Sequence, residues 1–332
     1  MKIVLDIYGG DNSPYAPIDG AVDFIRCKDD VTVILSGDEN TIRSYLDSKG
    51  IHEKRLEILH APDEITCHDE PTSVVRKKPE SSMVRAVKCV ADGEAQGVVS
   101  SGSTGALYAA SLSRIKRIHG ITRPALTPEL PTVHGGHALL ADCGANADCI
   151  PEFLTQFALM GTAYMRAIYG IESPRIALLS NGTEEEKGNA LTREAHLLLK
   201  NMNLNFTGNA EAREIFSGDA DVYVCDGFTG NILLKTIEGT AKAMTTLLKA
   251  ELMSSFKSKM GGLLIKTKMS NFKKKFDYRE IGGSPLLGIN GCVIKAHGSS
   301  DAKAYKNALE QAYTFIARDV KGEICRELEK LN

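Results

Sequence analysis

The chain has 332 residues, 43% of them hydrophobic and 25% charged, with a formal net charge of -2. That length accommodates one large α/β domain or two lobes, and the near-neutral charge excludes a surface organised as a general nucleic-acid-binding field. No apolar run approaches a membrane span, and Met1-Lys2 leads straight into the short strand-like run Ile3-Val4-Leu5, too brief for a signal-peptide core, so a cytoplasmic chain is expected.

In chain order, short β-branched runs predict strands at Lys2–Ile7, Val31–Ser36, Leu56–His60, Gly97–Ser101, Ala138–Ala141, Arg175–Leu179, Leu204–Thr207, Asp221–Cys225 and Cys292–Lys295. Helical patterns lie between most of them, including Met83–Asp92, Glu152–Tyr169, Asn189–Asn201 and Gly230–Leu252. Such alternation predicts an α/β fold in α/β/α layers around a mostly parallel sheet. The Pro-rich piece Arg123–Pro131 interrupts the pattern and reads as an irregular or antiparallel excursion. With no repeat, low-complexity linker or clean boundary, residues 1–332 are expected to form one α/β/α domain, with two lobes as the alternative.

Four strand ends run into glycine-rich polar loops that open onto helices: DIYGGDNSP from Asp6, VVSSGSTGAL from Val98, LADCGANAD from Leu140 and VCDGFTGN from Val224. Glycine lets the backbone approach a ligand, and free N–H groups at helix starts attract anions at the strand tips where α/β sheets bind ligands. The candidate anion-binding residues are therefore Gly9, Gly10, Asp11, Ser101, Gly102, Ser103, Thr104, Gly105 and Asn146. In the fourth loop Thr229 is a candidate cap, and Gly230 and Asn231 are expected to open a long helix. The stretch LLSNGTEEEKGN from Leu178 places Asn181 at another strand tip and Lys187 near the next helix start, within reach of a bound phosphate. His297, in IKAHGSS, follows the last strand and is suited to donate to an anion or to relay a proton.

Other residues give weaker signals. His134 and His137 have a spacing a metal can use, but no acid or cysteine nearby completes a recognised ligand pattern, and no metal is expected. Cys143 and Cys225 are either thiol nucleophiles or buried structural thiols, and the eight cysteines as a whole, with no CxxC pair, read as reduced. GxxxxGK[ST] is absent, as is a post-strand GxGxxG with its acidic partner, which argues against P-loop kinases and dinucleotide dehydrogenases. No cofactor is expected.

The segment from Glu251 to Glu280 holds seven lysines and Arg279 against three acids, a net charge of +5. Ile265, Met269, Phe272 and Phe276 share a helical face, flanked by lysines that include Lys266 and Lys273. This predicts a basic amphipathic helical hairpin, broken at Gly261-Gly262. Its apolar face suits packing on the protein's own core or on a second subunit, or lying on a membrane surface.

Taken together, these motifs resemble the bacterial phosphate acyltransferase family of phospholipid synthesis along nearly the whole chain. The resemblance is carried by DIYGGDNSP, EPTSVVRKKPESSM from Glu70, VVSSGSTGAL, RPAL from Arg123, DCGANAD from Asp142, NGTEEEKGN from Asn181, DVYVCDGFTGN from Asp221, LLGINGCVIKAHGSS from Leu286 and AYKNAL from Ala304. Two positions depart from it: Tyr8 stands where the family usually has Met, and Ser103 where it usually has Asn. The resemblance implies a fold similar to phosphotransacetylases and isopropylmalate dehydrogenases, a homodimer, and peripheral association with the membrane surface. It implies transfer of a long-chain acyl group from acyl carrier protein to inorganic phosphate, with the product passing to a glycerol-3-phosphate acyltransferase. On these motifs, the Gly9-Gly10 and Ser101–Gly105 loops would bind phosphate and Lys187 would offset its charge. Asn231, with the backbone near Gly230, would stabilise the thioester oxyanion, and His297 would protonate the departing thiolate or hold the phosphate. An acyl-CoA phosphotransacetylase and a non-catalytic lipid-enzyme scaffold are the alternative functions.

Overall fold

The computed structural model describes residues 1–66, 68–275 and 278–330. In chain order the elements are β1 (Lys2–Asp6), α1 (Tyr15–Ile25), β2 (Thr32–Gly37), α2 (Glu39–Ser48), β3 (Leu56–His60), α3 (Val74–Lys77), α4 (Ser82–Ala91), β4 (Gly97–Ser100), α5 (Thr104–Arg114), β5 (Ala125–Leu126), β6 (Glu129–Pro131) and β7 (His137–Ala141). There follow α6 (Pro151–Tyr169), β8 (Ile176–Ser180), α7 (Ala190–Lys200), β9 (Phe206–Glu211), β10 (Val222–Val224), α8 (Gly227–Leu252), α9 (Phe256–Lys275), α10 (Tyr278–Ile281), β11 (Gly283–Leu287), β12 (Cys292–Ala296), α11 (Ala302–Ala317) and α12 (Val320–Glu329). The strands form a seven-stranded sheet in the order β3-β2-β1-β4-β12-β11-β5 and a five-stranded sheet in the order β6-β7-β10-β8-β9. Pairing is parallel from β3 through β12 and from β7 through β9. The antiparallel strands β11, β5 and β6 lie at one end of each sheet.

Helices cover both faces of the first sheet, so its central strands are apolar on both sides. Ile3 and Leu5 of β1 pack in one cluster with Ile18 and Phe24 of α1 and Tyr305 and Leu309 of α11. Val4, between them, faces the opposite way, toward Met83, Val84 and Val87 of α4 and Leu107 of α5. The first cluster continues into the second sheet through Phe157 and Met160 of α6 and Val222 of β10. On the outer face of that sheet, Leu140, Leu179 and Tyr223 pack with Leu233, Leu234 and Ile237 of α8.

The antiparallel excursion expected within Arg123–Pro131 is present as β5 and β6. The antiparallel strand β11 carries no such signal, since GSPLL is short and contains proline. Helix α8 starts at Gly227, three residues before the expected Gly230. The cap is Asp226, whose carboxylate accepts from the Thr229 amide at 2.8 Å and the Thr229 hydroxyl at 2.7 Å, so Thr229 is a partner of the cap. The expected break at Gly261-Gly262 is also displaced: α9 runs through both glycines. The chain turns instead at Met253–Ser255, where the Ser255 hydroxyl accepts from the Ser258 amide at 3.1 Å. Glycine costs a helix interior about 1 kcal/mol without ending it, whereas a serine cap defines a start.

Beyond the second sheet, α8, α9 and the turn between them present exposed Met244, Leu247, Met253, Phe256, Leu263 and Leu264. Ile265 and Phe272 of α9 are also exposed and Met269 is half-buried. Phe276 and the side chain of Lys273 lie outside the described residues.

Helices α1 and α11 cross at Gly20, where an added Cβ would lie 2.6 Å from both the Ala302 carbonyl oxygen and the Tyr305 Cβ. Gly20→Val is expected to destabilise the protein by about 1–3 kcal/mol through overpacking. A urea midpoint unchanged from wild type would show that this crossing yields.

Candidate active site

Because β1, β4 and β12 are parallel neighbours, their C-terminal ends open onto one rim. Three loops interlock there. Gly9 has φ of +86°, and a Cβ on it would lie 2.6 Å from the Gly102 Cα, so the two backbones are in direct contact and neither tolerates a side chain between them. A Cβ on Gly10 would lie 2.7 Å from both the Ser101 and the Tyr305 hydroxyl oxygens. The Tyr305 hydroxyl donates to Ser101 Oγ at 2.6 Å, and the Asp11 amide donates to the Gly298 carbonyl at 2.8 Å. Ser103 precedes α5 without capping it by its side chain, so its hydroxyl leaves the first amides of that helix to other partners. Ser101 and Gly102 are buried, Ser103 and Thr104 half-buried, and Gly105 exposed.

Asp6 lies beneath these loops, fully buried at the end of β1. Its carboxylate accepts from the Ser82 hydroxyl at 2.5 Å, the Ser100 hydroxyl at 2.7 Å and the Tyr8 amide at 3.2 Å. Burial outweighs these donors and lifts its pKa from 3.8 to about 6. Lys295 of β12 donates to the carbonyls of Ser101, at 3.1 Å, and Ala296. Burial, reinforced by repulsion from Lys235, brings its pKa down to about 8, with Asp6 acting in the opposite direction.

The second sheet repeats this design. Asp142, buried at the end of β7, accepts from the amides of Leu126 at 2.8 Å, Cys143 at 2.6 Å and Asn146 at 2.6 Å. Burial again raises its pKa to about 6. Gly230 of α8 packs on this loop, where a Cβ would meet the Asp142 carbonyl oxygen at 2.0 Å. Asn231 is exposed and lies over Gly144. One and two turns further along α8, Lys235 pairs with Glu238 at 2.8 Å, and Glu238 Oε2 lies 3.9 Å from His297 Nε2. His297 Nδ1 accepts from the Ser299 amide at 3.2 Å, which places the proton of the neutral ring on Nε2. Burial holds the pKa of His297 down, opposed by Glu238.

The fold thus brings Gly9, Gly10, Asp11, Ser101–Gly105 and His297 to one rim and sets α8, with Asn231, beside it. Asn181 and Lys187 follow β8, one strand beyond β10, and both are exposed. The stem of Lys187 crosses Gly182, where a Cβ would sit 2.7 Å from its Cγ. Asn146 turns inward: its amide donates to the Pro124 carbonyl and to Asp142 while its oxygen accepts from Tyr108, so its side chain braces the loop. His134 and His137 are exposed, and His137 stacks on Tyr169. Among the described residues no group of three or more His, Cys, Asp or Glu is placed to hold a metal.

Sequence reasoning missed Asp6, Lys235, Glu238, Lys295 and Tyr305. A usable signal existed for Lys235 and Glu238, which follow Asn231 at helical spacings of four and seven. Lys295 carries one too, as a charge inside the apolar run CVIKA.

The fold and the rim define a class. Over 96% of its length, and 94% of theirs, the chain superposes on phosphotransacetylases from Streptococcus pyogenes (TM-score 0.62, 22% identity) and Staphylococcus aureus (TM-score 0.58, 17% identity), a likeness of fold. The model of the fatty acid synthesis protein family matches residues 1–323. The phosphate acyltransferase of Clostridium acetobutylicum is 46% identical across the whole of both chains. That of Geobacillus thermodenitrificans is 49% identical over 330 residues, 99% of each chain. The chain belongs to this phosphate acyltransferase family and is an acyltransferase.

Asp6 also predicts a pH dependence. Between about pH 4 and 6 the unfolded chain has released this proton while the folded protein retains it, so its contribution to stability falls as pH rises. Asp6→Asn removes that linkage, and the Ser100 hydroxyl can turn to accept from the new amide. Relative to wild type, the variant should gain about 2 kcal/mol between pH 4 and pH 6.5, read as the difference in urea midpoints at the two pH values. A constant difference would mean that Asp6 stays ionised when buried.

Proposed function

We propose that this chain moves a long-chain acyl group from an acyl carrier protein thioester to inorganic phosphate. The acyl phosphate then serves a glycerol-3-phosphate acyltransferase on the route to phosphatidic acid. The observation that carries this reading is the rim where the Gly9-Gly10 loop, the Ser101–Gly105 loop and His297 interlock, in a chain of this family.

In this mechanism a phosphate oxygen attacks the thioester carbonyl, the C–O bond forms, and the C–S bond breaks as the tetrahedral intermediate collapses. Phosphate is already an anion, and the reaction needs positioning and charge neutralisation more than a strong base. The loops Gly9–Asp11 and Ser101–Gly105 form the phosphate cradle; the Gly10, Asp11 and Gly102 amides, engaged by Ser13, Gly298 and Ser100, fix its shape, and Lys187 with Asn181 offsets the charge of the phosphate. Asn231, beside Gly230, stabilises the developing oxyanion, and His297 supplies a proton to the leaving thiolate. A covalent acyl-cysteine is disfavoured: burial raises the thiol pKa of both Cys143 and Cys225, which opposes formation of a thiolate.

The purified protein is expected to form acyl phosphate, trapped as the hydroxamate, from palmitoyl-ACP and phosphate. Product only from acetyl-CoA would move the chain to the phosphotransacetylases, and no product from any donor would favour a scaffold. Asn231→Ala should lower kcat by about 10²-fold. Lys187→Ala should raise the phosphate KM by about 10-fold, in proportion to the loss of one charge-assisted contact.

The proposal extends to location. No helix among the described residues is long and apolar enough to cross a membrane. The α8–α9 hairpin instead combines exposed apolar side chains with lysines. As a homodimer, the enzyme would dock this hairpin, including Ile265, Lys266, Met269 and Phe272, on an anionic bilayer, each lysine contributing about 1 kcal/mol. Flotation with anionic liposomes should be lost in an Ile265→Glu, Phe272→Glu variant that retains turnover. Retained flotation, with a raised KM for the carrier thioester, would assign the face to carrier protein.

A further inference from the structure

We propose that Lys295 is a positioning residue for the anion cradle: its ammonium ties the loop after β4 to the loop after β12 by donating to the carbonyls of Ser101 and Ala296. This inference rests on the phosphate-binding reading of the rim.

Lys295 stands inside an otherwise apolar strand, CVIKA, whose register sets it beside Ser100 of β4. Burying a lysine is costly unless its three donors find partners. Here two of the partners are backbone carbonyls from two different loops of the cradle. The Ala296–His297 peptide is not among the cis bonds, so its carbonyl and its N–H point in opposite directions. Holding the Ala296 carbonyl on the ammonium turns the His297 amide away from it, and the same ammonium anchors the strand tip that carries the His297 ring.

The surroundings tie this role to charge. Asp6 of β1 and Lys235 of α8 both act electrostatically on Lys295, and His297 lies two residues on, itself influenced by Glu238 and Asp11. Lys235 and Lys295 repel one another, and an anion bound near both relieves that repulsion. Lys295 loses its proton near pH 8, so the cradle should loosen as pH rises through that value.

The test compares Lys295→Met and Lys295→Arg in the full-length protein, reading the KM for inorganic phosphate, kcat, and the pH profile of kcat/KM. Lys295→Met should raise the phosphate KM about 10- to 100-fold, because two loop carbonyls lose their charged donor. Lys295→Arg keeps its charge at all working pH values, so its alkaline limb should move upward by at least one pH unit and much of the phosphate affinity should return. A Lys295→Met variant with wild-type phosphate KM and pH profile overturns the proposal. So does a Lys295→Arg variant whose alkaline limb stays near pH 8, and this second readout decides the matter if the Met variant does not fold. Hydroxamate formation by the wild type, run in parallel, reports on the acyl-donor reading alone.

Discussion

Each sheet carries one buried carboxylate at the end of a parallel strand, and the site depends on that pair. Asp6 and Asp142 occupy positions where burial costs several kcal/mol unless donors surround the charge. Both are surrounded, Asp6 by two hydroxyls and an amide, Asp142 mainly by amides. The donors come from separate stretches of chain, so each carboxylate determines the course of its loop. Asp6 joins the ends of β1 and β4 to the start of α4 through Ser82, while Asp142 curls its own loop and ties it to Leu126 of β5. Glycines then follow as a consequence: Gly230 can lie on the Asp142 carbonyl, and Gly9 on Gly102, only without a Cβ.

Electrostatics link the two halves. The Asn231, Lys235 and Glu238 stripe of α8 starts in the second sheet, and Glu238 lies close to His297 of the first. Burial lowers the proton affinity of Lys295 and His297 most, Lys235 adds to that effect, and Asp6 at Lys295 and Glu238 at His297 oppose it. This arrangement sets two lysines and a histidine against the carboxylates of Glu238 and Asp6, so its charges nearly balance and its donors, more than a net charge, suit an anionic ligand. It also leaves His297 predominantly neutral near pH 7, with its Nε2 proton available for donation.

Much of this was legible in the sequence. The parallel strands were readable because they are buried on both faces and run continuously apolar, as in KIVL and GVVS. The close approach of the rim loops was readable because glycine marks a backbone contact whatever supplies the other side. What the sequence hid depended on partners distant in the chain. Tyr305 meets Ser101 across 204 residues, and Lys295 meets the Ser101 carbonyl across 194. Asn146 looked like a ligand-facing amide, yet its side chain is consumed by Pro124, Asp142 and Tyr108, and only the folded loop reveals that. The helix break at Gly261-Gly262 misled for a local reason, because the serine cap at Ser255 outweighs glycine's modest cost.

The same burial that shapes the cradle constrains the chemistry. Cys143 sits beside the Asp142 carboxylate, and Cys225 donates to the Asp142 carbonyl at 3.4 Å. Desolvation and nearby negative charge both oppose a thiolate there, with Lys235 only partly offsetting them at Cys143. With the Cys143 and Cys225 thiols disfavoured as thiolates, the proposed nucleophile is the substrate itself, and an anion such as phosphate arrives already ionised. The enzyme then has no proton to remove before attack. Its side chains are free for neutralising charge and for protonating the leaving group, which is the division of labour that amide-rich loops and a neutral histidine suit.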